Sequence, residues 1–198
     1  MMQENKRIKV RWSVVAMVLV PTVLIRLVPH VAEVPALFNF SPVGALALFS
    51  GAYLAGRLSA VGLPLLVLWA GNLLLDNVFL SEWYDGFTWF ANWEVYLAIG
   101  LIALVGRPLM HRISPARVLG GSLVSAVLFF VVTNFFVWYS DTLYSRDASG
   151  LLQCYTAALP FFRNTFQSDV MFSVLLFGGM EWARRRYPSI ELKSADPS

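Results

Sequence analysis

Apolar and polar positions alternate along this chain in blocks too long for a soluble fold. Five apolar runs extend from about Trp12 to Val28, Phe40 to Gly56, Leu58 to Leu80, Phe87 to Val105 and Val118 to Tyr139. A sixth is built on Val170 to Met180, and its clean apolar core is only about half of the ~20 residues that a bilayer crossing requires. Crossing there draws Asp169, Ser168 and Phe166 into the outer leaflet. Ahead of it, Gly150 to Phe162 is apolar but short and interrupted by Pro160, the pattern of an interfacial or re-entrant helix on the outer side. The expected fold is an all-α polytopic membrane helical bundle of six transmembrane helices, with a short outer re-entrant or interfacial helix before the last span.

Charge orients that bundle. Of the 15 Lys and Arg residues, Lys6, Arg7, Lys9, Arg11, Arg57, Arg107, Arg112, Arg117, Arg184, Arg185, Arg186 and Lys193 lie at one set of run ends. The other set holds Arg26, Arg146 and Arg163 together with the acids Glu33, Asp76, Glu82, Asp85, Glu94, Asp141, Asp147 and Asp169. Positive charge flanking spans stays in the cytoplasm, so both termini are expected inside. The division is a cytoplasmic basic N-terminus at 1–11, a six-helix transmembrane domain at 12–186 and a cytoplasmic polar tail at 187–198. The first run also resembles a signal peptide, but no small-x-small cleavage site follows it, which favours an uncleaved helix.

Composition narrows the function classes. The chain is 58% hydrophobic and only 14% charged, against about 25% charged in soluble domains. A net charge of +3 does not imply nucleic acid, because the basic residues sit at span ends where topology accounts for them. The lipid bilayer is the expected partner, in a multi-pass membrane protein. One cysteine excludes an internal disulfide, and no H-E-x-x-H, G-x-S-x-G or Walker-type motif is present. His30 and His111 fall on opposite sides of the expected topology. Neither an enzyme nor a metal or other cofactor is expected.

Intramembrane polar groups are costly and mark candidate sites. They accumulate toward the outer side: Arg26, His30, Asn39, Ser41, Asn72, Asp76, Asn134, Arg163, Asn164 and Asp169. Of these, Asn39, Asn72, Asn134 and Asn164 are the candidate hydrogen-bonding ligands of a small solute, and Arg163 and Asp169 shape its electrostatics. Trp138 and Tyr155 are the candidate aromatic walls. Plainer roles compete: Arg26 and Arg163 as snorkelling side chains, Asn72 and Asn134 as interhelical glue, Trp138 as a belt anchor. Gly44, Ala47, Gly51 and Ala55 recur at three- and four-residue spacing and are the candidate helix-packing residues of the second run.

Longer motifs carry a resemblance. Residues 26–30 (RLVPH), 39–54 (NFSPVGALALFSGAYL), 132–135 (VTNF) and 154–165 (CYTAALPFFRNT) are similar to an uncharacterised family of bacterial six-helix integral membrane proteins. That architecture in turn resembles the S component, the substrate-binding subunit, of energy-coupling-factor transporters. The resemblance implies a multi-pass protein of the bacterial inner (plasma) membrane, an outward-facing pocket for a small solute and a coupling membrane protein with ATPases as partner. The chain lacks the A-x-x-x-A motif often seen on the first helix of that class. The alternative is a non-transporting membrane scaffold or assembly partner resembling the six-helix rod-shape proteins.

Overall fold

The structure is a computed structural model that describes residues 12–32, 34, 39–54, 56–140 and 142–186, with side chains from residue 20 onward. The basic residues at 1–11, Glu33, Ala55, Asp141 and the tail at 187–198 lie outside the described residues. Six α-helices follow in order: α1 Trp12–Val31, α2 Val43–Tyr53, α3 Arg57–Leu74, α4 Trp93–Leu109, α5 Pro115–Ser140 and α6 Ala148–Arg186. No β-strand occurs among the described residues.

Helix α2 is the centre. Its sequence, VGALALFSGAY, is apolar or small on every face, the composition of a helix buried all round. Ala45, Ala47 and Tyr53 are fully buried, and Leu46 and Leu48 nearly so. Helices α3, α4, α5 and α6 all pack on it, while α1 leans on the outside of α3. The tightest approach is to α4. A Cβ on Gly51 would stand 2.2 Å from the Ala103 carbonyl oxygen, and one on Gly106 would stand 2.8 Å from the Leu48 carbonyl oxygen. Glycine on both helices lets two backbones touch, and the dispersion gained depends on that contact. With 11 residues, α2 is about 16 Å long, shorter than the Phe40 to Gly56 run foreshadows.

Helix α3 continues past Leu74 into a π-turn at Leu75–Phe79, so one rod runs from Arg57 to Phe79. Among the described residues, this rod and α5 are the two helices long and apolar enough to cross a membrane, with mean hydropathies of 1.9 and 2.0. The fourth helix starts later than the apolar run beginning at Phe87. Asn77 at the π-turn accepts from the Thr88 N–H at 2.7 Å and donates to the Thr88 carbonyl at 2.9 Å. Trp69 donates to the Trp89 carbonyl at 3.2 Å. Those bonds fold residues 88–89 back along α3, and α4 begins only after Asn92, whose φ of 52° places it in the left-handed region.

The last helix corrects the expectation drawn from its sequence. There is no separate re-entrant or interfacial helix: residues 148–186 form one α-helix of 39 residues, about 58 Å long, with Pro160 inside it. Its start is fixed by Asp147, whose Oδ1 accepts from the Gly150 N–H at 2.8 Å in the manner of an N-cap. Contacts with α5 then hold it through the proline. The Tyr155 hydroxyl donates to the Val131 carbonyl at 2.7 Å, Cys154 Sγ to the Asn134 carbonyl at 3.5 Å, and Phe162 packs edge-on against Phe130. A proline inside a helix costs on the order of 3 kcal/mol, and this tertiary seam offsets it.

Candidate functional site

A cavity of about 230 Å³ lies where one end of the bundle closes. All six helices reach it. Helix α1 contributes Arg26, Pro29 and His30; the residues leading into α2 contribute Asn39, Phe40 and Ser41; α2 adds Val43 and Gly44. Leu68 and Leu75 come from the α3 rod, Asn92, Val95 and Ile99 from the start of α4, Phe129 from α5, and Thr165 and Asp169 from α6. Apolar walls with a few convergent polar groups are the general form of a small-molecule site.

One charged group is Arg26. Gly71 leaves room for its stem, since a Cβ there would come within 3.2 Å of Arg26 Cδ. Its Nη2 donates to Asn72 Oδ1, and Asn72 Nδ2 donates to the Tyr96 hydroxyl at 3.1 Å. That relay ties α1 to α3 and α4. Asp76, one turn beyond Asn72 and only 5% exposed, stands within electrostatic range of Arg26. The guanidinium therefore has a counter-charge within range, and only one of its five N–H donors is taken by Asn72.

The other charged group is Asp169, 1% exposed. Glycine at 44 permits its position: a Cβ there would sit 2.4 Å from Oδ1 and 2.9 Å from Oδ2. The Ala45 amide and the Ser125 hydroxyl bear on the carboxylate, and Ser122 donates to the Asp169 main-chain carbonyl at 3.3 Å. Asp169 Oδ2 has no hydrogen-bond partner. A buried polar atom left without one costs roughly 1–3 kcal/mol, more if charged. Thr165, one turn earlier, is on the same face and also lines the cavity.

Of the eight residues singled out from the sequence as ligand-binding, Asn39 and Asp169 are on this wall and Asn72 holds Arg26 from behind. Asn134, Trp138 and Tyr155 belong to the α5–α6 seam. Asn134 Nδ2 donates to the Phe130 carbonyl of its own helix at 2.8 Å, and Trp138 Nε1 donates to the Ser145 carbonyl at 2.9 Å. Arg163 is exposed on α6, with Asn164 half-buried beside it. Of the packing residues, Gly44 faces Asp169, Gly51 faces α4 and Ala47 is fully buried. Asn92 and Thr165 carry no sequence signal of comparable strength, although Thr165 precedes Asp169 by four residues and so shares its helix face. Among the described residues no group of three or more His, Cys, Asp or Glu side chains is placed to hold a metal.

A family model described as a family of unknown function, DUF6580, matches residues 6–190. The chain belongs to the DUF6580 family. No curated protein and no solved structure matches it. The DUF6580 match covers all six helices and every residue lining the cavity.

Proposed function

We propose that this DUF6580 protein is a multi-pass inner-membrane protein that binds a small solute from outside, for uptake, in the manner of a transporter S component. The observation that carries the reading is the cavity itself, which sets Arg26 and Asp169, a residue with a partnerless buried Oδ2, among apolar lining residues. The helix surfaces support the membrane. On α5 the buried face is mostly small or polar (Gly121, Ser122, Ser125 and Ala126, with Val118), whereas Leu119, Leu123, Val127 and Val131 point outward. Water would reverse that arrangement; lipid favours it.

The orientation follows from charge. Arg57, Arg107, Arg112, Arg117 and Arg184–Arg186 cluster at helix ends opposite the cavity, and positive charge marks the cytoplasmic side. The cavity then opens outward, on the side of the α1–α2 and α3–α4 connections, where Trp83, Trp89 and Trp93 stand exposed as interfacial anchors do. The short α2 crosses with the help of its non-helical flanks, which protein rather than lipid surrounds. A coupling membrane protein with ATPases would supply the energy. Native mass spectrometry of gently purified protein tests the reading: a retained small molecule supports it, whereas retention of a membrane protein with no small molecule favours the scaffold alternative.

A further inference from the structure

The cavity has an electrostatic remainder that points to the chemistry of its occupant. Arg26 already has a hydrogen bond to Asn72 and the acid Asp76 within electrostatic range. Asp169 has no such partner: the groups around its carboxylate are the Gly44 backbone, the Ala45 amide and the Ser125 hydroxyl, all uncharged. A carboxyl group 1% exposed, with Oδ2 unbonded and no cation against it among the described residues, has only uncharged neighbours in the protein.

We propose that the solute is a small organic amine, its protonated nitrogen paired with the Asp169 carboxylate and its apolar body against Phe40, Leu68, Ile99 and Phe129. The inference rests on the solute-binding reading given above and narrows its substrate class. An ammonium group offers both the positive charge and the N–H donor that Oδ2 lacks, and charge-assisted bonds of this kind are the stronger ones. The far end of the solute meets spare N–H donors of Arg26 and the amides of Asn39 and Asn92, which suits a hydroxyl or carbonyl oxygen there. Size sets an upper limit. A cavity of about 150 Å³ accommodates benzene, so 230 Å³ takes a solute on the order of ten non-hydrogen atoms.

The test uses the full chain in detergent or nanodiscs and matched sets of probes: phenethylamine, 3-phenylpropionate and 2-phenylethanol, and isoamylamine with its corresponding acid and alcohol. Binding is read by thermal stabilisation and by isothermal titration. At least one amine is expected to bind tenfold or more tightly than its matched acid and alcohol, and Asp169→Asn is expected to remove that preference. Where Asp169→Asn does not fold, Asp169→Ser serves, and the preference for the amine is expected to be lost in it as well. An acid or alcohol that binds as well as its amine overturns the amine assignment and leaves the solute site standing. Should no probe bind, the solute retained in native mass spectrometry decides. One with a basic nitrogen supports the assignment, one without overturns it, and the absence of any retained solute overturns both readings.

Discussion

Gly44 and Asp169 are a matched pair: the missing side chain on α2 is the space that the carboxylate on α6 occupies. A methyl group at 44 would push the carboxylate toward the cavity or separate the helices, and overpacking of this order costs about 1–3 kcal/mol. Gly44→Ala is therefore expected to lower the thermal stability of the wild type but to have little effect in an Asp169→Ala background. Unfolding of the two single variants and the double variant measures this, and additive losses would show that the two residues do not share the space. Asp169 was legible in the sequence because an acid stands beside an apolar core too short to cross a bilayer by itself. Arg26 was visible too, but snorkelling explained it equally well until Asn72 and Asp76 were seen around it. Asn92 was not legible at all, because its place depends on where the loop after the π-turn returns.

At the scale of elements, run lengths foretold six helices, and the ends of α3 and α5 fall within a few residues of their apolar runs. Helix α6 was hidden. Pro160 and the polar stretch from Arg163 to Asp169 break its pattern, and what holds it against α5 is tertiary: the bonds of Tyr155, Cys154 and Ser122 and the packing of Phe162 on Phe130. Its first turn depends on Asp147, whose carboxyl the Gly150 N–H and the Ser145 hydroxyl hold below the ordinary aspartate range. A depressed carboxyl stabilises the fold fully above the unfolded aspartate value, about 3.9, and loses that contribution as pH falls through its lower folded value. Amide exchange should accordingly show the protection of residues 150–152 falling in that acid window in the wild type. Asp147→Asn should show no such step, and a step of equal size in the variant would remove Asp147 from its cause.

For the whole molecule, the arrangement of charge makes a directional prediction. A cysteine introduced at Gly86, in the α3–α4 connection, is expected to react with a membrane-impermeant maleimide in intact cells. One introduced at His111, between α4 and α5, is expected to react only after permeabilisation. The native Cys154 is buried and contributes little background. Labelling of position 111 from outside would invert the topology and close the outward route to the cavity. The sequence supports an expectation of orientation, because flanking charge acts locally at each span end, and the labelling tests it. It could not foretell that all six helices meet at one cavity, which depends on α2 being short enough to sit inside the others.

The central claim is that the Arg26–Asp169 cavity, and not the α5–α6 seam, holds the solute. The most direct measurement is the occupancy of retained small molecule in native mass spectra of the wild type, Asp169→Asn and Asn134→Ala, purified identically. Occupancy is expected in the wild type and in Asn134→Ala, and a loss of tenfold or more in Asp169→Asn. Equal occupancy in wild type and Asp169→Asn, or a loss confined to Asn134→Ala, would contradict it.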